Sequence, residues 1–240
     1  MKKSITLLLL LVVTLSSGQW RQEKIKGNGN FTTKEITTSD YESVSVAGAF
    51  YVTLVEGNEG KISVKAEENL LEFIDIESKG SDLQIRTKKG YNLNPSKGKK
   101  IEITVPVKDI SKVSLAGSGD IVSNFTLKAT TFKASVAGSG DIKLSLDADS
   151  VQANVAGSGD IQLKGKTKNL EANVSGSGDI EAFDLQSENS KVSVSGSGNI
   201  STNCTELIEA RVSGSGDIEY KGKPKKIDTK VAGSGKIKMI

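Results

Sequence analysis

The sequence contains no histidine, and it is poor in cysteine, proline and aromatic residues. The absence of histidine excludes Ser-His and Cys-His nucleophile pairs, histidine-bearing zinc sites and imidazole acid-base catalysis. The one cysteine, Cys204, cannot form an internal disulfide, and we expect it to be a small buried side chain. No glycine-rich stretch matches the phosphate-binding loop G-x-x-x-x-G-K-[ST], so neither a nucleotide nor another cofactor is predicted.

Long hydrophobic runs are also scarce, and the one that occurs lies at the N-terminus, from Ile5 to Leu15. It follows two lysines and precedes the small residues 16–18, an order typical of a secretory signal peptide. The run is about half of the roughly 20 residues that span a bilayer. We therefore expect residues 1–18 to be a signal peptide and the mature chain, without a transmembrane segment, to be periplasmic or extracellular.

The charge balance does not favour a polyanionic partner. Without the two N-terminal lysines the chain has 30 basic and 29 acidic residues. This near-neutral balance leaves no electrostatic argument for nucleic acid or an anionic membrane as a partner.

Glycine, in contrast, is abundant and periodic. The motif G-S-G-D/N/K-I occurs seven times, at steps of 18 to 21 residues. A period near 19 residues is typical of a solenoid. Apolar residues alternate with polar ones within each repeat, as in Val151-x-Ala153-x-Val155, which predicts strands. We predict an all-β parallel β-helix with coils of 19–20 residues about 4.8 Å apart, in which equivalent side chains stack.

The two glycines of each motif predict a corner of the coil. They permit a sharp bend through positive φ, or a close approach of stacked chains that a Cβ would prevent. We expect the serine between them and the aspartate after them to point outward, and the following isoleucine to point inward. The turn glycines are Gly117, Gly119, Gly138, Gly140, Gly157, Gly159, Gly176, Gly178, Gly196, Gly198, Gly214, Gly216, Gly233 and Gly235.

The residues that follow the glycine pairs would form a column, namely Asp120, Asp141, Asp160, Asp179, Asn199, Asp217 and Lys236. Neighbouring carboxylates about 5 Å apart repel each other by on the order of 1 kcal/mol per pair when they are solvated. Two interpretations stay open. Either backbone N–H groups donate to the carboxylates and no metal is bound, or Ca²⁺ lies between successive carboxylates of Asp120, Asp141, Asp160, Asp179 and Asp217.

The N-terminal part lacks the motif. Residues 41–110 keep the alternation, and we predict less regular strands there that continue into the regular repeats of 111–240. Together they form a single β-solenoid domain, 41–240. The stretch "VAGAFYV" (46–52) resembles a degenerate copy of "VAGSGDI". Residues 19–40 are polar, and we predict an irregular N-terminal arm.

The leader, the stretch "YESVSVAGAFYVTLVEGNEGKISVKAEENLLEFIDIESKGSDLQI" and the serial "VxGSGDI" units together resemble the auto-transporter adhesin head GIN domain family, over residues 40–237. The resemblance implies an exported, right-handed parallel β-solenoid of the binding or adhesion type, without enzymatic activity. No strands of a membrane barrel follow the final "GSGKIKMI", so we do not expect the transport function in the family's name.

The predicted function is therefore a non-enzymatic binding or adhesion module whose flat faces contact an envelope or extracellular component, such as a glycan. Two alternatives stay open. One is a structural or self-assembling envelope scaffold built from stacked coil ends, although Lys236 and Lys238 disfavour strand addition at the last coil. The other is a polysaccharide-active enzyme, because parallel β-helices also carry lyases and hydrolases. The sequence leaves open whether the chain is a monomer or an end-to-end oligomer.

Overall fold

Residues 22–240 are described by a computed structural model of the chain, so the predicted signal peptide, 1–18, lies outside the described residues. Strands account for 71% of these described residues and helix for 3%, and the strands wind into a β-solenoid of about seven turns with coils of about 19 residues. Within the described part of the chain, no helix is long and apolar enough to cross a membrane.

Eighteen strands and one 3₁₀ helix make up residues 22–240. The strands of the first half are β1 (Glu23–Lys26), β2 (Phe31–Thr37), β3 (Ser43–Ala47), β4 (Tyr51–Glu56), β5 (Lys61–Glu67), β6 (Ile74–Lys79), β7 (Asp82–Thr87), β8 (Tyr91–Asn94) and β9 (Glu102–Val107). Those of the second half are β10 (Lys112–Gly117), β11 (Asp120–Gly138), β12 (Asp141–Gly157), β13 (Ile161–Gly176), β14 (Ile180–Gly196), β15 (Ile200–Gly214), β16 (Ile218–Lys221), β17 (Lys226–Gly233) and β18 (Ile237–Met239). The 3₁₀ helix spans Glu68–Phe73.

The coils of the second half stack in the register that the glycine period predicts. Parallel pairing places Gly138 beside Gly157, and Gly157 beside Gly176, and the same pairing continues to the last coil. From Val136 to Val231, one inward position of each coil carries a valine, and those of the inner coils, such as Val155 and Val174, are buried. Stacked β-branched residues fill the narrow interior and exclude water along the solenoid axis. The predicted parallel solenoid is therefore confirmed.

The N-terminal part mixes parallel and antiparallel pairs. Strand β3 lies parallel to β10 and β7, and β4 lies parallel to β11 and β9. Tyr51 pairs with Asp120 and Val52 with Ile121, so the "VAGAFYV" segment lies in the register of the motif. The pairs β2–β5, β5–β9 and β6–β7 are antiparallel. The β6–β7 pair is antiparallel because a two-residue turn with Gly80 at φ +63° reverses the chain.

The segment predicted to be an irregular arm, 19–40, contains two strands. Strand β1 pairs with β8, and β2 pairs with β5 over its whole length. Most side chains of β2 are exposed, so its sequence shows little of the apolar alternation from which strands are predicted. Threonine and isoleucine nevertheless favour extended backbone, and the free edge of β5 supplies the hydrogen bonds.

A buried carboxylate fastens this N-terminal segment to the solenoid. The side chain of Glu67 is only 1% exposed. Its Oε1 accepts the N–H of Gly29 at 2.6 Å and the hydroxyl of Ser96 at 2.5 Å, and its Oε2 accepts the N–H of Ser96 at 2.9 Å. Burial raises the pKa of Glu67, but the donors from Ser96 and Gly29, helped by Lys99, outweigh it and lower the pKa below its ordinary value.

The core of the C-terminal coils contains a short chain of hydroxyl groups. The Ser190 hydroxyl lies 2.8 Å from the hydroxyls of both Ser187 and Thr202, and Ser187 donates to the carbonyl of Asn203. These contacts satisfy the polar groups that would otherwise be buried without partners. Cys204 is buried beside them as predicted, and burial raises the pKa of its thiol.

Candidate binding surface

The first glycine of each motif adopts a backbone that other residues avoid. From Gly117 to Gly233 these seven glycines have φ between +124° and +140°. A Cβ on Gly176, for example, would lie 2.3 Å from the carbonyl oxygen of Gly157 in the preceding coil. Both the backbone conformation and the close stacking therefore require glycine at this position.

The second glycine of each motif is required by contact alone. Its φ is not in the left-handed region, but an added Cβ would lie 1.8 to 2.4 Å from a carbonyl oxygen of the preceding coil. At Gly178 that oxygen belongs to Gly159, at 2.0 Å. The serine between the two glycines is exposed. The structure thus places all fourteen motif glycines at the corner, where they let successive coils approach closely.

The column of aspartates forms a one-directional hydrogen-bonded ladder. From Asp141 onward, the carboxylate of each aspartate accepts the backbone N–H of the equivalent residue one coil later: Asp141 from Asp160 at 3.1 Å, Asp160 from Asp179 at 2.8 Å, Asp179 from Asn199 at 2.7 Å and Asp217 from Lys236 at 2.7 Å. Asn199 takes the same role through its amide oxygen, which accepts the N–H of Asp217 at 2.9 Å.

The ladder explains the residues that occur in the column. An inner coil needs one side-chain acceptor, which aspartate and asparagine both provide. Lys236 only donates its backbone N–H, so it needs no acceptor of its own. Asp120, at the other end, contacts Lys100, with 3.3 Å between its Oδ2 and the lysine Nζ.

Among residues 22–240, no group of three or more acidic, histidine or cysteine side chains is arranged to hold a metal ion. One oxygen of each inner carboxylate is already used by a backbone donor, which offsets part of the repulsion within the column. Calcium binding by Asp120, Asp141, Asp160, Asp179 and Asp217 stays the alternative interpretation of the column, and the ladder without metal stays the first.

A shallow groove of about 540 Å³ runs across the strands that precede the corner. Its floor, which we call the neutral face, is formed by outward-facing residues with small uncharged side chains, namely Ser45, Ala47, Ser114, Ala116, Ser135, Ala137, Asn154, Ala156, Asn173 and Ser175. They lie on β3, β10, β11, β12 and β13, which together extend about 19 Å along the solenoid axis. Two columns result, one of hydroxyl and amide groups and one made chiefly of methyl groups.

A single ionisable residue is among those that line the groove, and its charge is compensated. Arg86 lies at the N-terminal end of the groove. Its Nη2 is 2.7 Å from the Asp75 carboxylate and 2.6 Å from that of Glu77, and these contacts raise its pKa. Further along the groove, the Asn173 amide donates to Asn154 at 3.2 Å. The surface therefore offers neutral donors, acceptors and methyl groups.

Two other grooves are charged. One, of about 830 Å³, has side chains of alternating sign, and Lys166 and Lys168 pair with Asp147 and Asp149 across neighbouring coils. The other, of about 520 Å³, is acidic and contains Phe183. Six ionisable residues line the first of these grooves and five line the second, whereas Arg86 is the only one that lines the groove of the neutral face.

Comparison with known proteins supplies the family. The family described as "Putative auto-transporter adhesin, head GIN domain" matches residues 40–224. The chain belongs to this family. No curated protein matches it.

Several solved structures of this head GIN domain protein's relatives share its fold. One is a putative adhesin from Bacteroides fragilis NCTC 9343, with 24% identity and a TM-score of 0.82, which covers 90% of this chain and 100% of its own. A second is a putative lipid binding protein from Parabacteroides distasonis ATCC 8503, with 29% identity, a TM-score of 0.76 and coverage of 91% and 100%. A third, a putative adhesin from Parabacteroides merdae ATCC 43184, has 22% identity, a TM-score of 0.71 and coverage of 91% and 99%.

Sequence reasoning did not single out the neutral face. Its signal was present in the repeats, because the outward positions before the first four glycine pairs read Ser-x-Ala, Asn-x-Ala or Asn-x-Ser. Those residues are common on any strand, and only the stacking shows that they form one uncharged surface.

Proposed function

We propose that this head GIN domain protein is an exported, non-enzymatic binding module of the adhesion type, and that it holds an extended, uncharged ligand on the neutral face. The observation that carries the proposal is the groove itself, whose floor has no uncompensated charge across five strands. Charged glycans or peptides would lose hydration there without gaining a counter-ion. A neutral glycan of the envelope or of the exterior fits the hydroxyl and amide column, because those groups both donate and accept.

The same groove gives no support to the enzyme alternative. Arg86 is the only ionisable residue among those that line it, and a glycosidase needs a pair of carboxyl groups beside the scissile bond. The relatives are described as adhesins or as a binding protein, which agrees with binding without catalysis.

A lipid is the second candidate ligand. It is favoured by the methyl column, formed by Ala47, Ala116, Ala137 and Ala156, which lines the same groove. The relative from Parabacteroides distasonis carries the description "putative lipid binding protein". Neutral glycans remain the first candidate because six of the ten residues of the neutral face carry a hydroxyl or amide group.

The test is a binding screen of the purified chain against neutral glycans, acidic glycans and vesicles of neutral lipid. We expect a neutral glycan to bind and Ser175→Arg, which fills the groove, to weaken it by at least about tenfold. Ser177→Arg is the matched control, because Ser177 is exposed at the corner, two residues beyond the groove. Preference for acidic glycans, or equal effects of the two variants, would contradict the proposal. Binding of vesicles alone, with the same difference between the variants, would select the lipid.

A further inference from the structure

Within residues 22–240, one edge of the last coil, formed by β17 and β18, has no neighbouring strand. We call this surface the terminal edge. Strand β17 pairs with β15 and β18 pairs with β16, and no other strand within residues 22–240 pairs with either of them. Ile227 is 55% exposed, Val231 42% and Met239 55%. These side chains occupy the inward positions of the ladder, where their counterparts one coil earlier are buried.

The opposite end of the solenoid is built differently. There the 3₁₀ helix Glu68–Phe73 places Leu70 in the core, and β6 runs antiparallel to β7. Head-to-tail stacking, in which the terminal edge of one molecule pairs with the opposite end of the next, would therefore not continue the parallel coils. A second copy of the terminal edge itself provides an edge of the same composition, and a contact between two identical edges closes as a two-fold dimer.

The sequence of β17 is complementary to itself in one antiparallel register. With Thr229 on the two-fold axis, Ile227 faces Val231 of the second copy on the inward side. On the outward side Asp228 faces Lys230 of the second copy, and each of these contacts occurs twice. Cross-strand pairs of opposite charge and pairs of β-branched side chains both stabilise antiparallel strands.

The neighbouring registers are disfavoured by charge. Moving the axis to residue 230 sets Lys230 against its own copy. Moving it to residue 228 sets Asp228 against its own copy and Lys226 against Lys230. Like charges directly opposite each other destabilise a strand pair. An axis that passes midway between two residues would place the inward side chains of one copy opposite the outward side chains of the other. Of these three registers, only the axis at Thr229 matches both faces, and it also overlaps more of β17 than an axis nearer either end of the strand.

We propose that two copies of this chain associate end to end through an antiparallel β17–β17 contact centred on Thr229. The contact hydrogen-bonds the free edge and covers Ile227 and Val231. Asp228 then lies between Arg211 of its own chain, which it already pairs with, and Lys230 of the second copy. Two lysines near the edge are neutralised within their own chain, because Lys225 pairs with Glu206 and Lys238 with Glu219, both at 2.8 Å.

The first experiment tests the register by disulfide formation. The native Cys204 is buried, so an added cysteine is the only accessible thiol among the described residues. Thr229→Cys should form a covalent dimer under mild oxidation, because the two positions face each other across the axis. Ala232→Cys is the control, since its two copies would be separated by far more than the roughly 7 Å that a disulfide permits between Cα atoms.

The second experiment tests charge pairing by light scattering. Lys230→Asp and Asp228→Lys each set like charges opposite each other in a homodimer, and we expect each to weaken dimerisation by about tenfold or more. A mixture of the two variants pairs opposite charges again and should form a mixed dimer. A wild-type chain that stays monomeric at high concentration would overturn the proposal. So would crosslinking of Ala232→Cys rather than Thr229→Cys, or a monomer that binds anionic vesicles through this end.

Discussion

Replacing a corner glycine separates the two physical reasons for its presence. Gly178 has no left-handed φ, but a Cβ there would lie 2.0 Å from the carbonyl oxygen of Gly159 and 3.0 Å from its carbonyl carbon and nitrogen. These are backbone atoms held in place by the neighbouring coils, so moving them away would disrupt the hydrogen bonds between coils. We expect Gly178→Ala to lower the free energy of unfolding by about 3 kcal/mol or more, at the upper end of the cost of overpacking.

The matched control is Gly90→Ala. Gly90 has φ +93°, and no heavy atom lies within 4 Å of the position of its added Cβ. Only the backbone conformation resists the substitution, and we expect a loss of about 1 kcal/mol. Gly176→Ala combines both effects and should cost more than either. Urea unfolding followed by circular dichroism measures all three, through midpoints compared at unchanged slope. Equal midpoints for Gly178→Ala and Gly90→Ala would refute the close-stacking explanation.

Three further results are expected. Asp160→Asn should preserve stability, because an asparagine already serves as the acceptor at position 199 of the same column. Asp160→Ala should lower the free energy of unfolding by about 1 kcal/mol, because the Asp179 N–H loses its partner. Equal melting temperatures for the two variants would exclude the ladder. Glu67→Gln should cost about 2 kcal/mol at neutral pH. Folding lowers the pKa of Glu67 from its ordinary 4.5. The carboxylate therefore stabilises the folded chain fully above that value, and this stabilisation is lost as the pH falls through the folded pKa, so the acid unfolding curves of wild type and variant should converge. A constant difference between the curves down to low pH would contradict this. Added calcium or a chelator should leave the melting temperature unchanged, because one oxygen of each inner carboxylate already accepts a backbone N–H. A rise of the melting temperature with calcium would instead support the metal interpretation of the aspartate column.

The parts of the fold that repeat could be predicted from the sequence. The glycine period fixed the length of each coil, and the alternation of residues such as Val151, Ala153 and Val155 identified the inward positions. Both signals are reinforced by every coil, so a local irregularity such as the extra residue near Phe183 does not hide them. The paired glycines also indicated a corner, because few other functions require glycine at two positions separated by a serine.

Features that occur once could not be predicted in the same way. Glu67 looks like an ordinary surface residue in "AEENLLEF", and its burial depends on Gly29 and Ser96, which are distant in the chain. Strand β2 has exposed side chains, so its pairing with β5 leaves no apolar pattern. The direction of the aspartate ladder was also hidden, since an acceptor within the same turn and one in the next coil need the same residue type.

The neutral face and the terminal edge both depend on coils that stack with equivalent residues in contact, and distances between spin labels measure this directly. Labels attached to cysteines at Ser139 and Ser234, both exposed at corners, are five coils apart and should give a separation of about 24 Å along the axis. Moving the second label to Ser215, one coil nearer, should shorten the distance by about 5 Å. Equal distances for the two pairs, or a longer one to Ser215, would contradict the stacking.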